Sequence, residues 1–248
     1  MPRIARKESK SGVYHIMVRG INKQEIFHDD EDKAVYLDRL FRYKNESFFE
    51  LYAYCLMNNH VHLLLREGNE SASDVMKKIG ISYAYYYNQK YNRIGHLFQD
   101  RFRSEAVEDD KYLLAVTRYI HQNPVKIGLP IDSWTSYGDY VSNTGTIDTS
   151  LVLGIFSEND KEAKRLFVDY MNKINDDICL EYLEKSKLSD TEAMKFMKEI
   201  CGIDICHELQ YFDTDRRNEA LSQLKMSGVS IRQIARITGL NRGVVLSA

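Results

Sequence analysis

The chain has 248 residues, 44% hydrophobic and 28% charged, with 34 Lys+Arg against 36 Asp+Glu. This is a folded chain with at least one sizeable core, and its length allows one large domain or two modest ones. It excludes a disordered tail, a disulfide-stapled miniprotein and a helical membrane span. Cys55, Cys179, Cys201 and Cys206 form no CxxC pair and read as buried thiols, and no apolar run approaches ~20 residues.

The first residues, Met1-Pro-Arg-Ile-Ala-Arg-Lys7, lead into Glu8, Ser9 and Lys10 and not into a signal-like apolar stretch, so a cytoplasmic protein is expected. Val13 to Arg19 is a β-branched and aromatic run closed by Gly20, which predicts a strand. Asp29 to Lys44 carries Val35, Leu37, Leu40 and Phe41 at helical spacing after an acidic first turn. Phe48 to Met57 and His60 to Leu65 are apolar runs broken by Asn58-Asn59, the composition of a hairpin turn. A helix fits Ser71 to Tyr91, an extended piece Gln99 to Val107, and a further helix Asp109 to about Gln122. The order predicts an α+β fold, a ferredoxin-like split βαβ unit with helices on one face of an antiparallel sheet. A polar stretch, Thr135 to Ser150, marks a boundary before a mainly helical remainder.

Charge is unevenly distributed along this order. Lys77 to Lys126 carries a net +4, Ser157 to Asp215 a net −7, and Arg216 to Ala248 a net +5. Two basic blocks around an acidic spacer suggest two polyanion-binding surfaces joined by a solvated helical connector, although such runs also arise as plain solvated faces.

Side chains alternate along a strand, so His60 and His62 point to one face and Val61 to the other. Two imidazoles so placed suit one metal ion, or equally a wet sheet face. Tyr119 and Asn123 lie four apart on the later helix, hence on one side of it. Pro124 should end that helix, push Asn123 out of helical conformation and leave its amide free to point elsewhere.

Four segments, Tyr14-His-Ile-Met-Val-Arg-Gly20, Tyr54-Cys-Leu-Met-Asn-Asn-His-Val-His-Leu-Leu-Leu65, Phe98-Gln-Asp-Arg-Phe-Arg103 and Tyr119-Ile-His-Gln-Asn-Pro-Val-Lys-Ile-Gly-Leu129, occur in this order. Together they resemble the REP-associated tyrosine transposases, single-tyrosine members of the His-hydrophobic-His nucleases and relatives of the insertion-sequence transposases. The resemblance spans roughly Met1 to Tyr140. It implies that His60 and His62 ligate a divalent metal, Mg²⁺ or Mn²⁺, and that Tyr119 attacks a phosphodiester of single-stranded DNA to give a 5′-phosphotyrosine. Asn123 stands where better-known relatives place a glutamine as a further ligand, a departure that leaves the third ligand open.

The stretch Ser82-Tyr-Ala-Tyr-Tyr-Tyr-Asn88, followed by Lys90 and Arg93, interleaves rings and cations as single-strand binding requires, or simply packs its rings on the sheet. For Arg101 and Arg103 the resemblance favours DNA contact. Lys126 joins them as a DNA-binding candidate, and Arg19 and the arm Arg3, Arg6 and Lys7 are weaker ones.

Ser230 to Val245, with Ala235, Gly239 and the core positions Ile234, Leu240 and Val245, has the spacing of a helix-turn-helix supported by a helix over Arg217 to Met226. Asn241 and Arg242 would supply its duplex contacts. The expected organisation is a catalytic domain over 1–145, an acidic helical connector over 146–212 and an all-helical helix-turn-helix module over 213–248. The expected activity is a metal-dependent single-strand DNA nuclease and strand transferase. Its partners would be a single-stranded hairpin with flanking sequence and, through the C-terminal module, duplex DNA, with no membrane and a monomeric or homodimeric state. The competing readings are a non-enzymatic DNA-binding regulator and a metal-dependent hydrolase that uses water.

Overall fold

The computed structural model describes residues 8–142, 145–173, 177, 179–180 and 189–248. The arm holding Arg3, Arg6 and Lys7 lies outside them. Contacts divide the chain into two compact units, Met1–Glu181 and Tyr182–Ala248.

In the first unit, β1 (Val13–Arg19), β2 (Glu50–Met57), β3 (His60–Arg66) and β4 (Arg103–Ala106) form an antiparallel sheet in the order β2-β3-β1-β4. This is the strand order of a split βαβ fold, as the element pattern predicts. Asn58-Asn59 makes the tight β2–β3 turn, and β1 pairs along its whole length with β3 from Val13↔Arg66 to Arg19↔His60.

Two helices cover the face that carries Ile16, Val18, Val61, Leu63 and Leu65. Helix α1 (Asp30–Ser47) starts where the Asp29 carboxylate accepts from the Asp32 N–H, and it buries Tyr36 and Leu40. Helix α2 (Ala72–Lys90) starts on Ser71, which accepts from the Asp74 N–H, and it buries Val75, Met76, Ile79, Tyr83 and Tyr87. Each cap satisfies a backbone N–H that the first turn leaves without a partner.

Helix α3 (Asp110–Gln122), capped by Asp109, departs from the expected one-sided arrangement. It lies on the opposite face, with Tyr119 against His15 and His62. The reason is in β3, where His62 and Leu64 are as buried as Val61, Leu63 and Leu65, so both faces of the sheet need cover.

The end of α3 also differs from expectation. Asn123 keeps helical angles (φ −54°, ψ −46°), and the chain runs on through a 3₁₀ turn over Val125–Ile127. Pro124 has no N–H for the Ile120 carbonyl, so the Asn123 N–H moves onto it at 3.3 Å. The Tyr119 carbonyl is then satisfied by Asn123 Nδ2 at 2.8 Å. The Asn123 amide nitrogen is therefore committed to the helix, not free.

Three further helices, α4 (Tyr137–Ser142), α5 (Ser150–Phe156) and α6 (Asp160–Met171), belong to the same unit. Gln122 donates to the Met171 carbonyl, Arg118 pairs with Asp177 at 2.7 Å, and His121 sits among Tyr137, Tyr140 and Phe167. The stretch 146–212, expected as a connector, is thus divided between the two units. Its α6 portion has Ala163, Phe167 and Met171 at helical spacing, and it buries them.

The second unit holds α7 (Asp190–Cys201), a 3₁₀ turn over Cys206–Tyr211, α8 (Thr214–Met226), α9 (Ile231–Thr238) and α10 (Arg242–Ser247). Met197, Leu209, Leu221, Leu224, Ile234 and Val245 form its core. Gly239 ends α9 at φ +75°, the left-handed cap that favours glycine. All four cysteines are buried and free, and no helix among the described residues is long and apolar enough to cross a membrane.

Candidate active site

The β1–β3 register places His15, Met17 and Arg19 on the same face as Leu64, His62 and His60. His60 and His62 stand edge to face, their ring centroids 5.1 Å apart. From α3, the Tyr119 ring reaches to 5.5 Å from His62 and 5.9 Å from His15, and Lys126 Nζ lies 3.9 Å from the Tyr119 ring centre.

Hydrogen bonds distinguish the ring nitrogens. His60 Nδ1 is 2.6 Å from Asn59 Oδ1, an oxygen that only accepts, so His60 carries its proton on Nδ1 and its lone pair on Nε2. His62 Nδ1 is 3.0 Å from His15 Nε2. Within this pair His62 Nε2 and His15 Nδ1 are buried and, among the described residues, have no hydrogen-bond partner.

Burial keeps the His15 and His62 rings uncharged. Desolvation lowers the His15 pKa to about 3, and desolvation first, then the nearby His15, His60 and Lys126, holds His62 well below the ordinary histidine value. A neutral imidazole with an unsatisfied nitrogen is the form that binds a metal. An unpartnered buried polar atom costs about 1–3 kcal/mol, which ligation would offset.

The donor set fits a divalent cation held in a mixed nitrogen and oxygen site. His60 and His62 supply imidazole nitrogen and Asn123 has an amide oxygen to offer. Among the described residues, no group of three His, Cys, Asp or Glu side chains comes together as a metal-holding cluster.

Arg19 sits level with His60 and Arg103 level with Met17, both on the histidine face. Arg101 is separate: with Lys77, Phe98 and Val18 it lines a cavity of about 790 Å³ on the α2 side of the sheet. The tyrosines of α2 mostly pack. Tyr83 and Tyr87 donate to the carbonyls of Ile26 and Glu25, Tyr86 donates to Asp32, and Tyr85 is 66% exposed. In the second unit Asn241 Oδ1 accepts from the Gly243 N–H and caps α10, which competes with a role in base contact, while Arg242 is exposed.

Sequence reasoning passes over two residues of this centre. Asn59 reads only as a turn residue, and its amide becomes a partner of His60. His15 stands two positions from Met17 and four from Arg19 on one face of β1, yet nothing local in sequence says that it meets His62, which requires the β1–β3 register.

Residues 8–123, which include His15, His60, His62, Tyr119 and Asn123, match the family model described as "Transposase IS200 like". Among solved structures, a REP-associated tyrosine transposase bound to a REP hairpin is similar at 19% identity over 60% of this chain and 90% of that one, with a TM-score of 0.48. A Deinococcus radiodurans protein described as a transposase is similar at 17% identity over 52% of this chain and 98% of that one, with a TM-score of 0.35. No curated protein matches the sequence.

Proposed function

We propose, for a chain whose residues 8–123 carry an IS200-like transposase domain, that it cleaves and rejoins single-stranded DNA through a phosphotyrosine on Tyr119. The observation that carries the reading is the meeting of the Tyr119 ring with the His60–His62 face, where His62 Nε2 is buried and, among the described residues, has no hydrogen-bond partner.

A phenol is a weak nucleophile at neutral pH because its pKa lies near ~10. A divalent cation, Mg²⁺ or Mn²⁺, held by His60, His62 and the Asn123 oxygen would polarise the scissile phosphate when bound. Tyr119 Oη forms a bond to phosphorus as the bond from phosphorus to the 3′-oxygen breaks. The phenol gives up its proton and the departing 3′-oxygen gains one. A later 3′-hydroxyl reverses the exchange, so strand transfer needs no external energy source. Lys126, whose Nζ lies 3.9 Å from the Tyr119 ring centre, would add a positive charge beside the phosphate that Tyr119 attacks. Arg19 and Arg103 add phosphate contacts on the same face.

Residues 1–145 would act as the catalytic part and 213–248 as a helix-turn-helix on duplex DNA, in a monomer or homodimer. What supports the second assignment is the α8–α9–α10 succession and the exposed Arg232 and Arg242.

The test is incubation with Mn²⁺ or Mg²⁺ and a labelled single-stranded hairpin with flanking sequence. A denaturation-resistant adduct should form with the wild type and disappear in Tyr119→Phe, while DNA binding persists. Cleavage without adduct that survives Tyr119→Phe would instead identify a water-using hydrolase. Binding without cleavage would identify a regulator.

A further inference from the structure

The His15–His62 pair sets a choice that the rest of the centre does not. Two uncharged imidazoles joined nitrogen to nitrogen at 3.0 Å must divide one proton between donor and acceptor. In one arrangement His62 Nδ1–H donates to the His15 Nε2 lone pair, and His62 Nε2 is left with a lone pair. In the other, His15 Nε2–H donates to His62 Nδ1, and the His62 proton sits on Nε2, where it blocks any ligand. The two differ only in tautomer, because both rings are fully buried and meet the same neighbours. For His60 the local Asn59 oxygen has already made the corresponding choice.

We propose that His15 is a positioning residue: by accepting from His62 Nδ1–H it holds His62 in the tautomer that presents Nε2 to a divalent cation. The inference rests on the metal-dependent reading of the preceding subsection. It adds a residue from a different strand, which touches no substrate and acts through His62. Partners of this kind, set behind a histidine ligand, commonly change metal affinity by about 10–100-fold when removed.

The experiment needs no turnover. In the metal-free, full-length protein labelled with ¹⁵N-histidine, long-range proton–nitrogen correlation spectra should show His62 protonated on Nδ1, with Nε2 as a bare lone pair. Titration with Mn²⁺ alone, followed by the electron paramagnetic signal of the free ion, should show affinity falling about 10–100-fold in His15→Phe. It should recover toward wild type in His15→Gln, whose side-chain oxygen can stand where His15 Nε2 accepts. Should His15→Phe fail to fold, the wild-type spectrum and the His15→Gln titration still decide.

Finding His62 protonated on Nε2 in the wild type overturns the proposal. So does unchanged Mn²⁺ affinity in His15→Phe, or a loss in His15→Gln as large as in His15→Phe. His60→Ala separates this failure from that of the metal reading. If it abolishes Mn²⁺ binding while His15→Phe leaves it intact, only the positioning role falls. If the wild type takes up no Mn²⁺ at all, both fall together.

Discussion

His121 lies on the side of α3 away from Tyr119, and its charge state should couple stability to pH. The ring is fully buried, Nε2 lies 2.9 Å from Ser136 Oγ, and Tyr137, Tyr140 and Phe167 surround it. Desolvation pulls its pKa from 6.5 to about 3, so the folded state resists the proton that the unfolded chain takes up below pH 6.5. The sign follows: the stabilisation is complete above the unfolded value and is lost as pH falls from 6.5 toward 3. At about 1.4 kcal/mol per pH unit and proton, His121 alone removes about 2 kcal/mol between pH 7 and pH 5. The assay is urea unfolding at both pH values, followed by the fluorescence of Trp134, the one tryptophan in the chain and a member of this unit. His121→Gln keeps a polar atom for Ser136 and removes the titration, so its loss between pH 7 and pH 5 should be about 2 kcal/mol smaller than that of the wild type. His15 and His62 titrate alike in both proteins and cancel in the comparison. Equal losses within about 0.5 kcal/mol would refute the reasoning.

Three other substitutions probe separate links. Asn59→Ala removes the oxygen that accepts from His60 Nδ1, and Mn²⁺ affinity should drop about tenfold in the same titration, with Asn59→Asp restoring it. Lys126→Met retains an aliphatic cover over the Tyr119 ring but not the charge; adduct formation should slow by about tenfold or more while Mn²⁺ affinity and melting temperature hold. Gly239→Ala introduces a Cβ at φ +75° that runs into Gln210 Nε2, which donates to the Thr238 carbonyl. The second unit should lose about 1–2 kcal/mol, read by helical circular dichroism in urea.

Most elements of the first unit are legible in the sequence because their signals are local. Ser71 and Asp109 announce the helices they cap, and the Asn58-Asn59 break fixes the hairpin that puts His60 and His62 on one face. The placement of α3 is not legible in this way. Its apolar positions say that it must be covered, but they do not say by which side of the sheet. The buried character of both faces of β3 appears in the sequence only as the near-continuous run Val61 to Leu65, interrupted by His62. The Asn123–Pro124 junction fails for a related reason. Here Asn123 stays helical before the proline, its N–H bonded to the Ile120 carbonyl and its Nδ2 to the Tyr119 carbonyl.

The two histidines of the centre make the same contrast within one strand. His60 is oriented by its immediate neighbour, Asn59, so the partner of its Nδ1 is supplied by the hairpin turn itself. His62 is oriented by a residue 47 positions earlier, across a strand pairing that forms only when the whole sheet does. A chain in which β3 has formed and β1 has not would carry His60 in its working tautomer and leave His62 undecided. Under the proposed role of His15, the pairing of β1 with β3 is what sets His62. Loosening it, for instance with Ile16→Ala on the opposite face of β1, should weaken Mn²⁺ binding through His62 while the His60–Asn59 bond persists. The histidine nitrogen spectra separate the two rings: in this variant His60 should keep its Nδ1 proton signal and His62 should show both tautomers. If the His62 signal were unchanged while the Mn²⁺ affinity fell, the loss would have to arise elsewhere than in this pairing.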